Sequence, residues 1–554
     1  MCYTKMQLFN QNSNVMKRLF SLLTMVIVMT GMVMAQGNSA TTSQNGNNNS
    51  ATQDQTGNSN TAEVTQGMFQ GATDSEGATA IQTQDGSENS AIIKQRDWSN
   101  PGNLAEQEQI GEGNQAASIM YNGANESYQL QEGDGNWSKF QTSNGSGNYG
   151  ETRQLGDNNE AFVKLLHSSS STAEVMQDGE GNQAEVEAQG ENNTASMSQY
   201  GYDNEASYSV FGYGNEFTGE QDGQMNQMFI NQATWYDAEN YGNQITATQT
   251  GNENLLDAKL KGDDNTLNFT QSGSFNEIIG FGGDPFMYEG DYSSIDIEQI
   301  NDNNTVRADI KGTNQDLDVW QKSYSPGNTA KIEIDAALGG GAASQSVSVM
   351  QDGTNNLSDV YIQGNGNSVE HTQPKDVEGP VIVNKDNEAY TSIWGSGNSA
   401  SIYQEGDANQ AEQNIWGTGN SASTHQDGGY NEAYITQETG GNTALQVQDG
   451  YYYGGMESKW DNNEADHNYS EILQKGGSDN MAKSYQSGDQ NQVDIYQDGS
   501  GNSAVVDQGL WDQRFTPGVH GSLNEATIMQ TGNAHSATIL QNGNSNTATI
   551  TQSN

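Results

Sequence analysis

Carboxylates and amides are the side chains whose spacing could do chemistry in this sequence. Acidic residues favour two slots. One directly follows a glutamine (Asp85, Glu132, Asp178, Asp222, Asp352, Glu405, Asp427, Asp449, Asp498), and the other directly follows an asparagine (Glu160, Glu205, Glu216, Glu388, Glu432, Glu525). Repeated carboxylates could bridge a divalent cation, Ca2+ before others, through oxygen ligands. They could equally keep the chain soluble and form Asp-Gly turns, which is the preferred reading because the glycine-rich nonapeptide of calcium-binding β-rolls is absent. Carboxylates stacked about 5 Å apart repel by only about 1 kcal/mol in water, and physiological salt screens them over about 8 Å.

Catalytic chemistry has little to stand on. The histidines His167, His371, His425, His467, His520 and His535 are scattered, and Cys2 is the only thiol. No nucleophile and base are paired, so no catalytic residue, cofactor or discrete metal site is expected. His371 and His535 fall in inward slots of the repeat described below and read as substitutes for a repeat amide. Tyrosines and tryptophans near turns could bind carbohydrate, but surface decoration is the simpler account.

The amides are far more regular. Gln530, Gln541 and Gln552 stand eleven residues apart within a unit of the form QxGxxNxAxIxQ. In its last copy Asn546, Ala548, Ile550 and Gln552 share one parity and Thr547, Thr549 and Thr551 the other, the period of two that a β-strand requires. The same parity holds in Asn89, Ala91, Ile93, Gln95, in Asn398, Ala400, Ile402, Gln404 and in Asn502, Ala504, Val506, Gln508. Glycine, asparagine and aspartate crowd the residues between, where tight turns are expected.

Pairs of these units predict an all-β chain, a β-solenoid of about twenty two-strand rungs of about 22 residues each, on the order of 100 Å long and cross-β in character. Through the middle of the chain the strand-ending slot alternates. Gln249, Gln271, Gln299, Gln321, Gln351, Gln373, Gln404 and Gln426 are interleaved with Leu260, Ile310, Ile334, Ile362, Ile393 and Ile415, so one arm of the coil should stack glutamines and the other aliphatics. Trp394 also recurs after 22 residues, as Trp416. A buried amide without a partner costs about 1 to 3 kcal/mol, but in a stack each can donate to one neighbouring rung and accept from the other. A slip of one residue would send every amide outward, so register is fixed. Insertions near 98–101, 284–292, 374–385, 451–461 and 511–521 interrupt the pattern and read as loops between strands.

Composition sets the surroundings. With 32% apolar residues, 65 glycines and a formal charge of −51, the chain would fall near the disordered class were it not periodic. Only 20 basic residues argue against nucleic acid or anionic lipid as partners. Residues 16–35 run from Lys17 and Arg18 through an apolar stretch to Ala35 and read as a cleaved secretory signal. Their apolar run, about 16 residues, is short of the roughly 20 of a spanning helix, and no later segment approaches it. Residues 1–15 read as an extension or misplaced start, leaving 36–554 as a secreted repeat domain without a thiol.

The unit QxGxxNxAxxxQ, with Ser or Thr after the asparagine as in 497–508 and 541–552, resembles the curlin repeat of bacterial curli fibre subunits, and the resemblance covers nearly all of 38–552. It implies export through an outer-membrane pore, a nucleator subunit as partner, and self-assembly outside the cell into amyloid fibres for biofilm matrix and adhesion. It also implies ladder roles for the glutamines above and for Asn398, Asn420, Asn502, Gln508, Gln541, Asn546 and Gln552. The chain has several times more rungs than a typical curlin. Its repeats begin at Asn38, so the family's separate export segment is reduced or missing.

A structural, fibre-forming subunit is therefore the leading expectation. The sequence closes on a full repeat, with only Ser553 and Asn554 beyond it, and an uncovered strand edge would template another chain. The alternative is a monomeric solenoid adhesin that does not polymerise, since so many rungs already make a rod.

Overall fold

The computed structural model describes residues 37–67, 75–96, 102–231, 243–259, 266–279, 286–289, 294–311, 315–323, 327–335, 345–374, 384–449, 467–509 and 522–554. The expected extension at 1–15, the expected signal at 16–35, Leu260 and most of the five insertions lie outside the described residues.

The chain is a β-solenoid. Strands alternate between two sheets, each built from parallel neighbours: the first sheet runs from Ser39–Gln44 and Thr61–Gln66 to Glu525–Thr531 and Thr547–Ser553. The second runs from Ser50–Asn58 and Thr79–Ser87 to Ser503–Gln508 and Ser536–Gln541. Each sheet is about twenty strands deep, and no described pairing joins its first strand to its last. The stack is open at both ends rather than closed into a barrel.

Parity explains why these segments form strands and which face they bury. In Ser399–Asp407 the odd-even alternation puts Ala400, Ile402 and Gln404 inside and Ser399, Ser401 and Tyr403 outside. Across the next rung Ala400 registers with Ala422 and Gln404 with Gln426, like on like, while Ile402 meets the β-branched Thr424. The hydrocarbon core is a narrow band between the sheets, from Val64 through Phe140, Phe217 and Phe269 to Ile528 and Ile539. Each isoleucine or phenylalanine buried there contributes about 1.5 to 3 kcal/mol relative to exposure.

One insertion departs from the expected loop between strands. Within 284–292 the segment Phe286–Glu289 is itself a strand of the first sheet, with Ala258 opposite Phe286 and Tyr288 opposite Ile310. The extra residues interrupt a strand that begins at Glu277–Ile279 instead of separating two strands. Period-two alternation is lost at the break, so the sequence pattern concealed the strand's second half.

Candidate functional site: amide columns and open edges

The second sheet carries an unbroken glutamine column from Gln55 to Gln541. Each Nε2 donates to the Oε1 of the next glutamine toward the C-terminal end, at 2.7 to 3.3 Å. Gln249, Gln271, Gln299, Gln321, Gln351, Gln373, Gln404, Gln426, Gln508 and Gln541 all stand in it. The second hydrogen of each Nε2 goes to backbone carbonyls. Gln249, for instance, also donates to Gln227 O at 2.7 Å and Asn254 O at 3.1 Å. Every amide in the column points the same way, so the stack has a donor end and an acceptor end.

The first sheet has such a column only at its two ends. Gln44 donates to Gln66 and Gln66 to Gln95, and near the other end a run goes from Gln437 through Gln474, Gln497 and Gln530 to Gln552. Between them the described slot holds Met120, Thr142, Leu165, Ala188, Val210, Ile310, Ile334, Ile362, Ile393 and Ile415, all buried and all but Thr142 hydrocarbon. The two boundaries are not equivalent. Gln95 Nε2 still finds Thr79 O and Asn103 O, whereas Gln437 Oε1, stacked on Ile415, is buried without a partner among the described residues.

Asparagines tie the strands to the turns. Asn398 Oδ1 accepts the backbone N–H of Asn420 at 2.9 Å, and Asn398 Nδ2 donates to Gly417 O at 3.0 Å. Asn502 reaches Gly532 O in the same way, and Asn546 donates from both its nitrogens to Asn524 Oδ1. The glycines so addressed form a column of their own: Gly179 has φ of 136°, and a Cβ built on it would lie 1.9 Å from Gly201 O. Sequence reasoning assigned these glycines to turn conformation alone. Their close approach between rungs, which excludes any side chain, depends on how one rung sits on the next.

A third amide column also escaped the sequence. Gln53, Gln82, Gln107 and Gln129 stack in the mid-strand slot at 2.7 to 3.0 Å and end on the hydroxyls of Ser118 and Ser138. The signal was present as Gln-x-Gln doublets at Gln82 and Gln84, Gln107 and Gln109, and Gln129 and Gln131.

His371 corrects its expected role. It sits between Val349 and Ile402 in the mid-strand slot, so it replaces an aliphatic and not an amide. Ser358 Oγ lies 2.6 Å from Nδ1 and Thr391 Oγ1 2.7 Å from Nε2, and burial pulls the ring's pKa down to about 3. His535 does stand in an asparagine slot, with its N–H donated to Asn502 Oδ1.

Stacking separates the carboxylates that follow an asparagine. Glu160, Glu205, Glu216, Glu388, Glu432 and Glu525 each meet Gln, Thr, Leu, Trp or Tyr on the adjacent rungs and never another acid. In the other slot Glu405 does stack on Asp427, but Asp85 faces Ile110 and Asp222 lies between Tyr200 and Thr250. Asp318 stacks on Asp296, and its carboxyl is pushed up first by burial and then by Asp296 and Asp316. Tyr390 donates to Glu388 at 3.0 Å, and burial followed by that bond moves the phenol up to about 12. Among the described residues no group of three or more His, Cys, Asp or Glu is gathered to hold a metal. Trp394 and Trp416 stack face to face on the outer surface, with centroids 5.0 Å apart.

The edges differ from the interior. Ser39–Gln44 is exposed along its whole length, and in Thr547–Ser553 the inward Ala548, Ile550 and Gln552 are only half-buried. Among the described residues no strand pairs with the outer side of either.

A family model, the curlin-associated repeat, matches residues 36–67, 169–201 and 521–553. At these three segments the chain carries the curlin-associated repeat. Comparison with curated proteins gave no match. Two of the three matched curlin segments are the first and last rungs, where both sheets end their strands in glutamine. Curlin repeats point to a curli-related structural protein, and among the described residues no helix is long and apolar enough to cross a membrane.

Proposed function

We propose that this curlin-repeat chain is a secreted structural subunit that polymerises end to end into extracellular, cross-β, curli-like fibres serving biofilm matrix and adhesion. The observation that carries the reading is the pair of open edges. One presents glutamine carbonyls, at Gln44 and Gln55, and the other presents glutamine Nε2 donors, at Gln541 and Gln552. Strand edges with unpaired backbone groups recruit further strands, and the matched polarity of the amides orients the recruit. Residues 16–35 would direct the chain to the periplasm, and an outer-membrane pore and a nucleator subunit are the partners this route calls for. The carboxylates, screened by salt, would keep unassembled chains apart without forbidding stacking.

Purified 36–554 should give thioflavin-positive fibres with cross-β diffraction and growth that depends on concentration. A stable monomer with no such growth would sink the proposal and favour a solenoid adhesin acting as a single rod. The buried isoleucines of the first sheet favour that second reading, because they supply the isolated subunit with a hydrocarbon core of its own.

A further inference from the structure

The described stack opens and closes in the same sheet. Its outermost strands, Ser39–Gln44 and Thr547–Ser553, both belong to the first sheet, and the second sheet is recessed at each end, to Ser50–Asn58 and Ser536–Gln541. Suppose two copies met head to tail with like sheets aligned. Thr547–Ser553 would then pair with the next Ser39–Gln44, but Ser536–Gln541 and the next Ser50–Asn58 would stand two rung spacings apart, about 9.6 Å. A strand would be missing between them, and the backbone N–H and C=O groups on both sides of the gap would lose their partners.

Resting on the fibre reading above, we infer that successive subunits are related by about a half-turn around the fibre axis, so that each sheet of one copy continues into the other sheet of the next. Ser536–Gln541 then receives the neighbour's Ser39–Gln44, and Thr547–Ser553 receives the neighbour's Ser50–Asn58. The coil runs on with no strand missing. The sequences fit this register: SATILQ meets SATTSQ, and TATITQ meets SATQDQ, with Ala on Ala and Gln on Gln.

The half-turn also explains why the first sheet reverts to glutamine at its C-terminal end. Because the second sheet carries glutamine throughout, a half-turn brings it against an end of the first sheet at every junction. An aliphatic at position 552 would orphan the neighbour's Gln55 Oε1, as Ile415 does to Gln437 Oε1 inside the molecule, whereas at position 44 glutamine lets the column run on. With glutamines, Gln541 Nε2 finds the neighbour's Gln44 Oε1, and Gln552 Nε2 finds its Gln55 Oε1. Asn38 Nδ2, buried and without a partner among the described residues, waits for an acceptor at this junction. His535 can supply it: its Nε2 lies 3.1 Å from Thr531 O, and a ring that donates there keeps Nδ1 as an acceptor.

Cysteine cross-linking separates the two junctions, because the exposed Thr41, Thr52 and Thr549 occupy equivalent outward slots. In the full chain with Cys2→Ser, fibres would be grown under reducing conditions, oxidised mildly and dissolved for a non-reducing gel. Under the half-turn, Thr549→Cys lies one rung from the neighbour's Thr52→Cys, within reach of a disulfide. The pair Thr549→Cys with Thr41→Cys then projects from opposite faces of the solenoid. The first pair should yield intermolecular disulfides at least about tenfold above the second. Fibres in which the second pair cross-links as well as or better than the first, or in which neither does, overturn the half-turn and leave the fibre reading standing. Failure of the parent chain and both variants to form fibres overturns the fibre reading itself.

Discussion

The two sheets of this solenoid use the same strand-ending slot in different ways. In the second sheet it is glutamine from Gln55 to Gln541, and each amide is satisfied by its neighbours. In the first it is glutamine, then hydrocarbon, then glutamine again, and the second change leaves Gln437 Oε1 buried and unpaired. An amide column is therefore directional. It can stop without loss on its donor side, where backbone carbonyls take the Nε2 hydrogens, but it cannot start inside the core without orphaning an acceptor. The hydrocarbon centre stabilises a rung through packing, whereas the amide ends leave each edge able to accept another rung.

The contrast can be broken most severely where the rungs touch most closely. Gly179→Ala would place a methyl 1.9 Å from Gly201 O at a φ of 136°, and should cost on the order of 5 kcal/mol. Circular dichroism of the variant should show lost β-structure, and a native spectrum with an unchanged denaturation midpoint would refute the close approach. On the hydrocarbon side, Ile334→Ala opens a cavity in a slot that is 1% exposed and should cost about 3 to 4 kcal/mol by urea titration.

Gln271→Leu tests the amide side at the same position of the rung. It leaves Gln299 Oε1 without its donor while the Nε2 of Gln249 keeps two carbonyls, so the expected loss is about 2 kcal/mol. If the leucine variant were as stable as the parent, the glutamine column would be no better than hydrocarbon and the comparison would collapse.

The smallest effect is set by pH. Folded His371 is neutral, with its pKa lowered from 6.5 to about 3, so the unfolded chain binds a proton first as the pH drops. Its contribution to stability is complete above 6.5 and is lost as the pH falls from there toward about 3. By about pH 5.5 the loss should amount to about 1.4 kcal/mol. Denaturation midpoints should show this slope in the parent and lose it in His371→Val, which restores the aliphatic of the neighbouring rungs; an equal slope in both would place the titration elsewhere.

Parity alone made the strands legible, since an inward Asn-Ala-Ile-Gln face needs only a period of two within seven residues. The assignment of glutamines to one arm and isoleucines to the other was legible through the middle of the chain, even across rungs of 28 to 31 residues. It did not reach the longest rungs, where Gln437 donates to Gln474, 37 residues on, and Gln448 to Gln486, 38 residues on. The interrupted strand at Phe286–Glu289 was lost where its insertion broke the alternation. His371 was misread although it stands two residues before Gln373, the aliphatic position of its own repeat, which Val349 and Ile402 hold on the neighbouring rungs.

By itself the sequence determined the strand, its inward face, the solenoid and the repeat family, because each follows from local alternation printed many times along the chain. Only the tertiary structure decided which residue rests on which: the glycine column that excludes a methyl, the orphaned carbonyl of Gln437, the spacing of the carboxylates and the sheet to which each edge belongs. Those are contacts between rungs, and the distance along the chain between two stacked residues changes with every insertion, so no local pattern can fix them.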